Sequence, residues 1–232
     1  MSVLTILYIS LEFWEAFLCV FALIGIIVGT SRFKADKKTK IGMQICCLVL
    51  MVSDMCYMAL NGNSNSIAHY YIVRVSKFMV FFSNYTYLGL SSVFLWQSLA
   101  EIGENIPKRV YAVRLISAAC IVLIIISQFN GMIYYFDSSN TYHRSTFYPV
   151  IQGAVMVSIV IMFSILMQYR KRLDNFMVCA LMSYFVMPVI ATILILLNTG
   201  LSLQNFAVVM STQIMFAVDF IDMSPVSYTH LR

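Results

Sequence analysis

The stretch LEFWEAF, residues 11–17, puts Glu12 and Glu15 inside a run that is otherwise lipid-soluble, between TILYIS and LCVFALIGIIVG. Two acids three positions apart share one face of a helix. In hydrocarbon each costs roughly 3 kcal/mol near a helix centre unless other elements bury it. The fold must therefore supply a polar interior at the depth of these residues.

The rest of the chain fits a membrane setting. Of 232 residues, 61% are apolar and 11% charged, with a mean hydropathy of +0.85, where a soluble domain carries roughly 25% charge. The start, MSVLTILYIS, lacks the basic flank of a secretory leader and continues as an apolar run too long for one. It reads as a retained first span. Runs of about 20 residues, enough to cross a ~30 Å core, fall near 5–29, 41–60, 70–97, 111–128, 148–168, 177–197 and 203–221. The expectation is an all-α polytopic membrane protein of seven transmembrane helices in one domain.

Orientation follows from Lys and Arg in the short loops. Arg32, Lys34, Lys37, Lys38, Lys40, Lys108, Arg109, Arg114, Arg170, Lys171 and Arg172 fall on one side, Arg144 alone on the other. The N-terminus is expected outside and the C-terminus in the cytoplasm. Basic inner loops beside membrane lipids account for the net charge of +5 without nucleic acid.

Depth brings five ionisable groups together. Glu12 lies ~10 Å below the expected outer surface and Glu15 near the midplane, with Tyr8 one turn above on the same face. Arg74 and Lys77, also three apart, enter the third span from the same side, and Asn84 continues their stripe. Asp54 lies ~9 Å from that surface near the end of the second span. Turning Glu12, Glu15, Asp54, Arg74 and Lys77 inward together avoids a cost on the order of 15 kcal/mol in lipid. Two readings follow: a buried ion-pair network that sets helix register, or a site open to the outside for a small polar or zwitterionic ligand, or for protons.

Pro188, in SYFVMPVIATI, lies mid-span and should kink the sixth helix; it is the candidate hinge. The longest loop, NGMIYYFDSSNTYHRSTFYP, carries Tyr134, Tyr135, Tyr142, Phe147 and Tyr148, expected at the outer interface. Pro149 fits the first turn of the fifth helix.

Other chemistry is missing from the sequence. The six cysteines (Cys19, Cys46, Cys47, Cys56, Cys120, Cys179) all fall within spans, so no disulfide framework is expected, and their spacing suggests no metal. The last span holds no lysine for a retinal Schiff base, and no hydrolase, protease or phosphate-loop motif appears. No catalytic residue and no cofactor is expected. Asp219 and Asp222 read as a solvated helix end. No internal repeat relates the first three spans to the last three, which counts against a repeat-built transporter.

In the order of its segments LEFWEAFLCVFALIGIIVGT, YYFDSSNTYHR, YRKRLDN and SYFVMPVIATILILLNTGLSLQN leading into STQIMFAVDF, the chain resembles the N-terminal multi-helix sensory region of Firmicutes diguanylate cyclases (GGDEF proteins) and sensor histidine kinases. One departure is STF after Arg144, which bears on the shape of that loop. The resemblance covers residues 1–223. It implies a signal-input domain in the bacterial plasma membrane, a homodimer, and a seventh helix that continues into a cytoplasmic output module. The ending SPVSYTHLR resembles translated sequencing-adapter read-through, which implies that residues 224–232 are artefactual and the output domain is missing. A small-solute transporter, or a partner subunit of a membrane complex, is the alternative.

Overall fold

The computed structural model describes residues 3–29, 37–62, 66–100, 107–173, 175–197 and 203–221. Among these, seven helices follow in order: α1 (Val3–Val28), α2 (Lys37–Leu60), α3 (Ile67–Ala100), α4 (Lys108–Asn130), α5 (Tyr148–Tyr169), α6 (Asn175–Leu197) and α7 (Leu203–Ile221). Between α4 and α5 lies a two-stranded hairpin, β1 (Tyr134–Phe136) and β2 (Tyr142–Arg144). Five of the helices, α1 to α5, are long and apolar enough to cross a membrane. The all-α expectation holds at this level, with helices at each predicted span. Arg32, Lys34, Asp222 and the tail 224–232 lie outside the described residues, as does the side chain of Asp219.

Helices consecutive in sequence pack side by side, and α7 returns against α1 and α2, closing the bundle. In lipid, helices associate through close packing and small residues rather than through a hydrophobic drive. The long α3 shows how: Ser76, Ser83, Ser91, Ser92 and Ser98 are buried along it. At Gly89 a Cβ would lie 2.9 Å from Ser117 Oγ of α4. That closeness lets Ser117 donate to the Tyr85 carbonyl at 2.6 Å.

The surface of α1 opposite its two acids is a ladder of exposed rings, Phe13, Trp14, Phe17 and Phe21, meeting edge to face. An apolar exposed face of this kind suits lipid. α2 begins at Lys37, four residues before the expected start, so Lys40 is a fully buried helix residue rather than a loop charge. A lysine stem packs well enough on apolar surface to permit this.

α4 ends on Gly131, whose φ of 63° and N–H bond to the Ser127 carbonyl form a left-handed cap. Pro149 sits in the first turn of α5 as expected. The aromatic segment between them is ordered rather than a plain interfacial loop. Tyr134 pairs with Arg144, Tyr135 with His143 and Phe136 with Tyr142 in antiparallel register. Asp137 makes the turn, its Oδ1 accepting from the backbone N–H of Ser139 and Thr141 and from the Ser139 hydroxyl. Asn140 takes the left-handed conformation at φ 61°, which asparagine tolerates. STF, the departure noted after Arg144, makes a turn into α5 in which the Tyr148 N–H reaches the Ser145 carbonyl.

Of the loop aromatics, Tyr135 and Phe147 are exposed, but Tyr134 is buried. It joins Phe81, Tyr85, Cys120, Ile124, Ile133 and Ile151 in a small core beneath the hairpin. A larger core runs through the remaining helices.

Candidate functional site

The hairpin caps the end of the bundle where α1, α3, α5 and α7 begin and α2 and α4 finish. Three carboxyls lie buried below it, Glu12 at 2% exposure, Glu15 at 2% and Asp54 at 1%. The helical spacing read from LEFWEAF therefore does turn both glutamates inward.

The acids are not equivalent. The carboxyls of Glu12 and Asp54 lie close enough to act on one another. Asp54 Oδ2 also accepts from Asn205 Nδ2 of α7 at 2.6 Å, and Asn205 Oδ1 accepts from Asn84 Nδ2 of α3 at 3.0 Å. Four helices thus meet in one polar chain. Oε2 of Glu12, both oxygens of Glu15 and the Tyr8 hydroxyl have no hydrogen-bond partner. These four oxygens all project from the inward face of α1.

The bases expected to neutralise the acids are placed differently. Among the described residues, none of the three carboxyls forms an ion pair with Arg74, Lys77 or Arg144. Aromatic rings hold the cations instead. Lys77 Nζ lies 4.0 Å from the ring centre of Tyr57, 4.8 Å from Tyr142 and 5.7 Å from Phe81. The Arg74 guanidinium lies 4.1 Å from Tyr70 and 4.8 Å from Phe136, and Arg144 lies 4.7 Å from Tyr148. A cation over a ring face at such distances gains ~0.5–2 kcal/mol, more as water is excluded. The expected ion-pair network is therefore a set of acids under α1 and α2 and a set of ring-held cations under the hairpin. Lys77 remains close enough to Asp54 and Glu12 to feel their charge.

The hairpin is fastened to this end by more than rings. The Asn140 carbonyl accepts from the Gly62 N–H, Asn140 Nδ2 reaches the His69 carbonyl, and Asn61 Oδ1 accepts from the Tyr142 N–H. The Ser139 hydroxyl, then His143, then the Thr141 amide hold the Asp137 carboxyl well below the usual carboxylate range. Burial pushes the Tyr134 hydroxyl up to about 12 and the Tyr142 hydroxyl higher still, so both stay neutral, and the Tyr134 hydroxyl accepts from Gln128 Nε2 at 2.7 Å.

A second polar layer lies deeper. Gln213 of α7 donates from Nε2 to Gln44 Oε1 of α2 at 3.1 Å and to Cys19 Sγ of α1 at 3.0 Å. The hydroxyls of Tyr87 and Thr212 meet at 2.5 Å, and Tyr184 of α6 donates to Ser91 Oγ at 3.1 Å. Pro188 lies one turn after Tyr184 inside α6, so the carbonyl its missing N–H leaves free belongs to Tyr184.

Sequence reasoning missed Asn205, Gln213, Gln44 and Thr212. Asn205, Thr212 and Gln213 stand at i, i+7 and i+8, one face of a helix, and that period was the available signal. Among the described residues, no three metal-ligating side chains come together. The six cysteines are all free. No known family model matches the chain, and no curated protein matches it in sequence.

Proposed function

We propose that this chain is the membrane-embedded input domain of a bacterial signal-transduction protein. In this reading all seven helices cross the plasma membrane, with the hairpin end outside and the basic loops in the cytoplasm. An outside stimulus acts on the carboxyls under the hairpin. α7 passes the resulting displacement toward a cytoplasmic diguanylate cyclase or histidine kinase module, the outputs that the resemblance of the sequence suggests.

The observation that carries the proposal is the bond from Asn205 to Asp54, which ties the first element of α7 to the buried acids. A change in charge or contact at Glu12 or Asp54 must be answered at Asn205, because a buried polar group left unpaired costs ~1–3 kcal/mol. Helix shifts of 1–2 Å are an established means of carrying such a change across a membrane-sized element. Gln213 and Thr212 continue the contact of α7 with α1, α2 and α3 two turns further on. Pro188 in α6, the helix packed on α7, supplies the hinge.

The deeper Gln44–Gln213–Cys19 layer also suits a transporter, since it extends polar groups below the acids. Two experiments decide. Cysteines placed at Ser139 and Lys171 in intact cells should react with an impermeant thiol reagent at 139 only; labelling at 171 would refute the orientation. Proteoliposomes holding the protein should take up no labelled amino acid or amine above the background of empty vesicles. Saturable uptake would move the function to transport.

A further inference from the structure

The inward face of α1 presents four oxygens that can accept, of which the Tyr8 hydroxyl alone can also donate without being a protonated acid. The Tyr8 hydroxyl, Glu12 Oε2 and both Glu15 oxygens are buried beyond nine-tenths and have no partner. The charged neighbours are held elsewhere: Asp54 accepts from Asn205, Lys77 lies in its ring cage, Arg144 over Tyr148, and Arg74 between Tyr70 and Phe136 with its Nε unpaired and, among the described residues, no ion pair to the acids. Tyr57 of α2 serves that cage, and Cys19 of α1 accepts from Gln213. Buried acceptors without donors are costly. What would complete them is a group that carries positive charge and several hydrogens.

The geometry points to a site for a small primary ammonium ion among Tyr8, Glu12 and Glu15, beside Asp54. This rests on the sensor reading and names its stimulus. A metal ion fits less well, because no three ligating side chains converge among the described residues. An ammonium bridges oxygens that are further apart, through three separate N–H donors. The same end of the bundle already receives one ammonium, that of Lys77, between Tyr57, Tyr142 and Phe81. Aromatic faces of that kind offset part of the hydration an ammonium loses on entering. The hairpin at this end is attached to the end of α2 and the start of α3 by ring contacts and single hydrogen bonds.

The test uses the full chain in detergent and follows thermal unfolding at fixed pH. Methylammonium, tetramethylammonium and sodium chlorides are compared at equal ionic strength. Methylammonium should raise the midpoint with a saturating dose response. Tetramethylammonium, a cation of the same charge without N–H donors, should not. Glu15→Gln should weaken the apparent affinity about tenfold or more, the scale of one charge-assisted bond. Tyr8→Phe, which removes a single acceptor and keeps the ring, gives a milder form of the same loss should Glu15→Gln fold poorly.

Equal shifts with all three salts, or a methylammonium shift that survives both substitutions, overturns the proposal. A midpoint that rises on acidification and takes no methylammonium shift at any pH assigns the site to the proton and overturns it equally. None of these outcomes touches the displacement of α7, so the ammonium site can fail while the sensor reading stands.

Discussion

Asn205 on α7 and Asp54 on α2, 151 positions apart, share a 2.6 Å hydrogen bond in a buried setting, with Asn205 the donor. That bond makes α7 part of the polar site rather than a bystander to it. Asn205→Leu should destabilise the protein by ~1–3 kcal/mol, because Asp54 loses its donor without gaining water. Adding Asp54→Leu should recover part of that loss. A double-mutant cycle on unfolding free energies measures the coupling, and additive losses would mean the bond is not made.

Lys77 fastens the hairpin through Tyr57 and Tyr142, so removing a ring should loosen β1 and β2 before it unfolds the bundle. Tyr142→Leu should cost ~1–2 kcal/mol locally. Hydrogen exchange at the amides of residues 134–144 should quicken while α3 and α4 keep their protection. Uniform protection across the hairpin would show that the cage contributes little.

Asp137 gives the hairpin a pH dependence of known sign. Its carboxyl is held below its ordinary value, chiefly by the Ser139 hydroxyl and His143. A depressed folded value stabilises above the unfolded value of about 3.9 and is lost as pH falls through the folded one. The hairpin should therefore keep its exchange protection from neutral pH down to about 4 and lose it progressively below that. Asp137→Asn should flatten the dependence.

Gly89 tests the packing of α3 on α4. A Cβ there would meet Ser117 Oγ at 2.9 Å, and Ser117 is itself held by the Tyr85 carbonyl. Gly89→Ala should cost ~1–3 kcal/mol. Ser117→Gly in the same chain should relieve the clash, as read from the shift in Tm.

The fold was legible wherever it depended on hydropathy. The apolar runs mark the helices, and Pro149 marks the start of α5. The inward placement of Glu12, Glu15 and Asp54 followed from the cost of charge in lipid. The partners of those acids were less legible. Opposite charges at equal depth suggested ion pairs, but pairing depends on which way the side chains turn. Tyr70 and Phe81 lie one turn from Arg74 and Lys77 on their own helix, but Phe136 and Tyr142, which also face these cations, come from a hairpin far along the chain that no local pattern announces. Asn205 was hidden for a related reason: a few amides in an apolar helix read as tolerated polarity until their partners in space are known. The three-residue strands of the hairpin are too short for alternation to register.

The most direct test of the coupling between the buried acids and α7 is a distance across the far part of the bundle. Spin labels would be placed at the exposed positions Ile45 on α2 and Ala217 on α7, with the native cysteines replaced. Comparing the parent with Asn205→Leu, the separation should shift by about 1–2 Å, the scale of a signalling helix movement. Superimposable distance distributions in two well-folded proteins would contradict the coupling and leave the Asp54–Asn205 bond as a device for helix register alone.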